Sequence, residues 1–336
     1  MASKDGKKLK LGFVEEEEEY PNVSPKKSVK KGKPQNIFDL DLSPSSGSHE
    51  KEYRKLSLNI MEGKINLDAE LYSLQPIPFQ TVKLFLTKTL PELGWGQSNE
   101  EETLFDAGCG PGGTTTKLIL PLFPRLKKCF AVDILPGMID SAKKHNFDPK
   151  IEYSVANLAD WSSLEHFENQ ITKFVSVYCF HWLKDPRKGF ENAFRLLKPG
   201  GEAAITCVLE SSYYSTLIEM HNNPEWTNLF QNVDYVPTFQ KYKHDGAYCK
   251  KMAEDIGFEV LYCKDEKKTN VFRSDKERKD FFWSICVLRP YIHSDRKKAF
   301  EQEFLEVLDK LNDIKDASLL LQKDKILEIV IKKPEF

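Results

Sequence analysis

The sequence predicts an α/β fold built on a Rossmann-like parallel sheet with helices on both faces. The first observation behind it is the loop LFDAGCGPGG, where Leu104 and Phe105 end a short apolar run and Gly108, Gly110, Gly112 and Gly113 follow. The second is the repetition of an apolar run followed by a helical stripe through KKCFAVDIL, KIEYSVANLADW and FVSVYCFHWL. The third is DPRKGFENAFRLLKPGGEAAITCVL, a striped helix, a Pro-Gly-Gly turn and another apolar run. Strands alternating with helices imply parallel pairing with both faces covered.

In the first unit the glycines remove side chains that would block a ligand, so backbone can approach it closely. The next segment, TTTKLILPLF, brings hydroxyl residues suited to a helix start, which points a helix N-terminus at the same pocket. Gly108, Gly110 and Gly113 also satisfy the G-x-G-x-x-G spacing of dinucleotide binders, so the glycines alone leave two cofactor classes open. Asp106 favours S-adenosylmethionine, because a carboxylate there faces a cationic methionyl end and repels a pyrophosphate. A plain structural turn is the third alternative.

The second unit ends in Asp133, at the tip of its strand, where a carboxylate accepts hydrogen bonds from both ribose hydroxyls of either cofactor class. Asp133 is equally placed to cap the helix beginning LPGMIDSAKKH, and the two roles are compatible. Ile134 and Met138 then lie beside an adenine or serve as ordinary core at helical spacing. In the third unit Ile151, Tyr153 and Val155 alternate as a strand, and Asn157 follows as an amide that reads an adenine edge or caps the next helix.

The fourth unit, FVSVYCFHWL, is uncharged, too short to span a membrane, and suited to a central strand buried on both faces. His181 stands at its end, a position from which it would act as general base toward a hydroxyl or amine acceptor. Its alternative role is simple hydrogen-bonded structure, and toward a carboxylate acceptor it would only orient.

FDAGCGPGG, AVDIL, YCFHWLKDP and RLLKPGGEAAIT, in this order and at this spacing, resemble the class I S-adenosylmethionine-dependent methyltransferases over residues 70–336. ELYSLQ, GPGGTTTKLILPLFP, YCFHWLKDPRKGFENAFRLLKPGGE and FFWSICVLRPYIH, with a long helix and KILEIVIKKP after them, extend the resemblance to juvenile hormone acid methyltransferases, which make sesquiterpenoid methyl esters. The resemblance implies a seven-stranded methyltransferase sheet with a helical lid, S-adenosylmethionine as cofactor, and a small apolar carboxylic acid as substrate. It also implies that Asp106, Gly108 and Gly110, with Gly112 in the same loop, hold the methionyl part, Asp133 the ribose and Asn157 the adenine. Relatives more often carry an aspartate at the place of Asn157. Gln75 and Trp182 match positions that orient the substrate carboxylate, and such an acceptor requires no general base. The relatives continue from that glutamine into a charged helix, whereas here Pro76 and Pro78 break the helix.

The remaining composition fits this reading. The chain has 336 residues, 30% charged and 40% apolar, with a net charge of −2, so it can bury a large core and has no basic excess to suggest nucleic acid. Its 7 cysteines, without C-x-x-C pairs, read as reduced thiols, and no metal site is expected. No apolar leader and no transmembrane stretch are visible, so the expectation is a cytoplasmic protein without integral membrane association. Residues 1–50, with an acidic run from Glu15 to Glu19 and lysines between Lys26 and Lys33, read as a disordered extension. Residues 51–336 are then the catalytic domain, with 51–90 as its helical lid.

Residues 211–246 form an insertion rich in aromatic residues, among them Tyr213, Tyr214, Trp226 and Phe230, that either roofs the pocket for a long apolar acceptor or packs against the sheet. DRKKAFEQEFLEVLDKLND is an amphipathic helix with Phe300, Phe304, Leu308 and Leu311 near one face, and ILEIVIKK is a final strand. The competing functions are a small-molecule O- or N-methyltransferase with another acceptor, a cofactor-binding but non-catalytic regulatory protein, and an NAD dehydrogenase.

Overall fold

The computed structural model describes residues 67–74, 79–231, 233–312 and 320–335. The expected N-terminal extension 1–50, the lid residues up to 66, and Gln75, Pro76 and Pro78 lie outside them. Seven strands are present: β1 (Glu102–Ala107), β2 (Leu126–Asp133), β3 (Ile151–Val155), β4 (Ile171–Val177), β5 (Leu197–Ser211), β6 (Glu259–Val271) and β7 (Leu321–Lys332). They form one sheet in the order β3-β2-β1-β4-β5-β7-β6.

Period-two alternation assigns successive side chains to opposite faces of this sheet. Leu104, Val175 and Ala204 point to one side, Phe105, Phe174 and Ile205 to the other, and all are buried. Phe105 and Phe174 stand opposite each other on β1 and β4 and stack at 5.8 Å. Strands buried on both faces carry continuous apolar runs, which is why these segments read so clearly in the sequence.

The sheet is not wholly parallel, contrary to the expectation from strand and helix alternation. β7 enters antiparallel between β5 and β6, pairing Ile205 with Ile329 on one side and Cys263 with Ile329 on the other. It also begins earlier than ILEIVIKK, at Leu321. The central strand β4 ends at Val177, so His181 and Trp182 sit on a short 3-10 turn, Phe180–Trp182, rather than on the strand itself. The expected Pro-Gly-Gly turn is an irregularity inside β5, where the register jumps from Ile171 opposite Leu197 to Lys173 opposite Glu202.

Helices cover both faces and the far end. α1 (Ala69–Ser73) and α2 (Gln80–Leu84) come first, and α2 continues through a π-helical turn, Phe85–Thr89. Among the described residues of the expected lid, Val82, Phe85, Leu86 and Leu90 are buried against the sheet as core, while α1 borders the larger cavity through Tyr72. α1 is fastened there by Asp68, which accepts from the Leu71 amide at 2.9 Å and pairs with Arg289, while its own amide donates to the Ser284 carbonyl. The segment TTTKLILPLF forms only a short, irregular helix, since Thr115–Ile119 is π-helical and Pro121 sits in the 3-10 turn that ends it.

α3 (Pro136–His145) lies between β2 and β3 and α4 (Pro186–Leu196) between β4 and β5, α5 (Ser212–Asn222), α6 (Thr238–Lys241) and α7 (Gly246–Ile256) follow one another between β5 and β6, and α8 (Asp275–Ile285) and α9 (Lys297–Leu311) precede β7. A third apolar cluster joins α5, α8 and α9, with Tyr213 stacked on Phe282 at 5.6 Å. Phe300, Phe304 and Leu308 of α9 are buried in it, but Leu311 is 38% exposed, because the face turns out of the cluster at the last turn.

Candidate active site

The loop after β1 is built by close approach. Gly108 has φ +74, in the left-handed region, and a Cβ added there would lie 2.4 Å from Cβ and 2.5 Å from Sγ of Cys179. Gly112, at φ +78, faces the Tyr153 hydroxyl in the same way, at 2.5 Å. Only glycine meets both demands without strain. Asn146 braces the loop from α3's end, donating to the Pro111 carbonyl at 2.7 Å and accepting from Thr116 at 3.2 Å. Gly110 and Gly113 leave space above the backbone, the first with only the Tyr72 ring at 3.7 Å and the second with nothing within 4 Å.

Two cavities open along this loop and share Tyr72, Gly108, Gly110, Val177 and Tyr178 in their walls. The smaller is polar and holds Asp106, Cys109, Thr114 and Asn146. The Asp106 carboxylate is 2% exposed and accepts from the Thr115 hydroxyl at 2.6 Å. Burial pushes its pKa up to about 7, the Thr115 hydrogen bond opposing and Asp133 adding to the rise. An uncompensated buried carboxylate of this kind favours a cation beside it.

The larger cavity receives Asp133, Ile134, Met138 and Asn157 at one end and His181 and Trp182 at the other. Asp133 accepts from the Gly110 amide at 3.0 Å and the Leu135 amide at 2.9 Å, so it fastens the first loop to the second, while Leu135 occupies the cap position of α3 without a side-chain bond. Burial raises its pKa as well. Ile134 is half-exposed at the cavity rim, whereas Met138 is buried. Asn157 accepts from the Ala159 amide at 2.9 Å through its carbonyl oxygen, a local turn in the cavity wall.

His181 is buried and its Nδ1 accepts from the Val208 amide at 3.5 Å. Burial pushes its pKa down to about 3, so the ring is neutral at physiological pH and cannot serve there as an efficient base tuned near 7. Trp182 packs edge-on against Tyr214 at 6.2 Å in the cavity wall. Among the expected site residues Gly112 lines neither cavity, and Gln75 falls outside the described residues.

Several cavity residues escaped the sequence reading. Tyr178 has φ +54, a strained conformation for an aromatic residue, and its buried hydroxyl has no hydrogen-bond partner among the described residues. Phe281, Phe282 and Ile285 of α8 form an apolar wall, and Gln322 and Asp324 close the β7 side. Tyr72 and Tyr178 lie inside the motifs ELYSLQ and YCFHWLKDP without having been singled out there, and α8 and β7 carry no local signal of a cavity. Of the described residues of the insertion, Ser211, Tyr213 and Tyr214 line the cavity; Trp226 packs edge-on against Phe300 at 5.1 Å and Phe230 is core. No lysine or arginine among the described residues lines the larger cavity. No group of three or more metal-ligating side chains occurs among the described residues, and no described helix is long and apolar enough to cross a membrane.

Residues 105–205 match the family model described as a methyltransferase domain. The chain is similar to the juvenile hormone acid O-methyltransferase of Drosophila melanogaster, 22% identical over 262 residues that cover 76% of this chain and 88% of the relative. It is also similar to the malonyl-[acyl-carrier protein] O-methyltransferase of a Paenibacillus species, 24% identical over 214 residues, 61% of this chain and 72% of that one. Among solved structures, a methyltransferase from Bacillus halodurans aligns with a TM-score of 0.48 at 14% identity, covering 74% of this chain and 99% of that one.

Proposed function

We propose that this chain, a class I S-adenosylmethionine-dependent methyltransferase, methylates the carboxylate of an apolar acid to give its methyl ester. The observation that carries the reading is the junction at Tyr178, where a polar cavity built on Asp106 and the glycine loop meets a cavity walled by aromatic rings and free of lysine and arginine among the described residues. The similar enzymes of Drosophila and Paenibacillus are both named as O-methyltransferases, one acting on a juvenile hormone acid and one on a malonyl carrier protein.

The residues fit the cofactor. Asp106 would face the cationic methionyl end, the open backbone at Gly110 and Gly113 would receive its chain, Asp133 would take the ribose hydroxyls, and Ile134, Met138 and Asn157 would border the adenine. When bound, S-adenosylmethionine supplies an electrophilic methyl group on a sulfonium centre. The protein's own task is then positioning and exclusion of water. A carboxylate, with a pKa near ~4, is already ionised at neutral pH and needs no base. The Trp182 indole N–H is a neutral donor that would aim such an anion without the salt bridge that would quench its nucleophilicity. Gln75 would join it, as the resemblance implies.

Asp133→Ala is expected to weaken cofactor binding by roughly 1–3 kcal/mol, through lost hydrogen bonds to a charged acceptor. Calorimetry reads this directly, and unchanged affinity would remove Asp133 from the ribose role. With His181 held neutral, kcat at saturating cofactor is expected to stay level from about pH 6 to 8. A fall in kcat centred near ~6.5 would instead identify a histidine base.

The decisive experiment is transfer of labelled methyl to a panel of farnesoic acid, juvenile hormone acid, fatty acids, and hydroxylated or amine metabolites. Esters from apolar acids are expected, and methylation of amines or hydroxyls alone would overturn the carboxylate reading.

A further inference from the structure

The wall of the larger cavity formed by β7 is polar where its neighbours are aromatic. Period-two alternation puts Gln322, Asp324 and Ile326 on the same, buried face of β7, with Lys323 and Lys325 on the other. Gln322 is 2% exposed and Asp324 7% exposed, and both line the cavity. Both amide hydrogens of Gln322 are used, one to Asp324 Oδ1 at 2.7 Å and one to Ser211 Oγ at 2.8 Å. Its carbonyl oxygen Oε1 is buried with no partner among the described residues. Asp324 Oδ2 is approached only loosely by the Asn270 NH2 group, at 3.5 Å, and Asn270 in turn accepts from Thr81.

The atom this network leaves without a partner among the described residues, Gln322 Oε1, is an acceptor. Burial raises the Asp324 pKa to about 6, against its hydrogen bonds from Ser211, Gln322 and Asn270, so at neutral pH it presents charge without a countercharge in the cavity wall. Burying such oxygens without a donor is costly, and a carboxylate placed beside them would be repelled. The sheet order puts β7 three strand spacings from β1, or roughly 14 Å from the glycine loop's strand. A substrate whose carboxylate lies at the loop therefore turns its other end toward β7.

We propose that Gln322 and Asp324 bind a hydroxyl group carried by the acceptor at the end remote from its carboxylate, so that the preferred substrate is a hydroxylated apolar acid. The assignment rests on the carboxylate reading above for the direction in which the acceptor lies. The hydroxyl donates to Gln322 Oε1 or to Asp324, while the aromatic walls of Phe281, Phe282 and Tyr214 hold the chain between. An acid ending in a methyl group leaves Gln322 Oε1 unpaired, and a site built to hydrogen-bond a substrate discriminates strongly against the analogue that lacks the donor.

The test compares a fatty acid, its ω-hydroxy derivative and its ω-methoxy derivative at several chain lengths, with labelled S-adenosylmethionine and the methyl ester identified by mass spectrometry. The hydroxy acid is expected to exceed both others in kcat/KM by about tenfold or more at the length that spans the cavity, because the methoxy compound has the oxygen but no proton to donate. Gln322→Met and Asp324→Asn are expected to draw that ratio toward one, with melting curves and cofactor calorimetry showing that each variant is folded and loaded. Equal kcat/KM for the hydroxy and methoxy acids at every length overturns the proposal, as does a ratio unchanged in both variants. Affinity for the same compounds is measured in parallel on protein saturated with S-adenosylhomocysteine. A binding preference for the hydroxy acid with no ester formed overturns carboxylate transfer and keeps the hydroxyl site, whereas ester formation with no binding preference does the reverse.

Discussion

Gly108→Ala is expected to weaken cofactor binding by about a hundredfold or more and to lower the melting temperature. Its backbone, at φ +74, costs an alanine roughly 1–2 kcal/mol. The new methyl group would also lie 2.4 Å from the Cys179 Cβ, which is fixed to the turn after β4 and has no rotamer by which to retreat. Overpacking of that kind typically costs about 1–3 kcal/mol. Relief requires the loop and the turn to part, and these carry Gly110 and Tyr178, which line both cavities. At 1.4 kcal/mol per factor of ten, the combined strain of about 2–5 kcal/mol accounts for the expected loss. Cys179→Gly in the same chain removes the overlap but not the backbone strain, so the double variant should recover part of the stability. Denaturant midpoints of the two single variants and the double variant separate the two contributions. Wild-type affinity in Gly108→Ala would show that the loop does not carry the cofactor.

The residues that were legible are those whose signal is local. Asp106, Gly108 and Asp133 sit at strand ends within units that combine an apolar run, a turn and a helix start, and those features are set by neighbours in sequence. The larger cavity was legible only in part. Trp182, singled out through the resemblance, and His181, singled out at the end of an apolar run, both line the larger cavity, but the left-handed turn at Tyr178 that precedes them is invisible in a run of uncharged residues. Gln322 and Asp324 were missed for a topological reason. Alternation of strands and helices predicts parallel neighbours, while the last strand returns antiparallel between β5 and β6 and brings two polar residues beside the cavity. Composition was a poor guide to the aromatic insertion. Tyr213, Tyr214, Trp226 and Phe230 are all buried, and only packing against α8 and α9 decides which rings face a ligand.

Cofactor affinity is expected to fall by about tenfold for each pH unit below 7, and Asp106→Asn is expected to abolish that dependence. In the unligated protein burial holds the Asp106 carboxyl at about 7, with Thr115 donating to it and Asp133 nearby. A cationic methionyl end stabilises the ionised form and so lowers that pKa on binding. The ionised form is thus the one that binds: affinity is complete above pH 7 and declines as the proton returns, down to the lower pKa of the complex. Near pH ~6.5 binding therefore releases a proton, which calorimetry in two buffers of different ionisation enthalpy detects. Identical heats in both buffers would mean that Asp106 is ionised before the ligand arrives. The same shift acts oppositely on the unligated fold. Relative to an ordinary value of 3.8, a raised carboxyl pKa destabilises the folded state as pH climbs from 3.8 to 7, by up to about 4 kcal/mol. Asp106→Asn removes that charge while keeping an oxygen for the Thr115 hydroxyl. Its unligated melting temperature at pH ~8 should therefore rise even as its affinity falls, a pairing expected of a group retained for binding at the expense of stability.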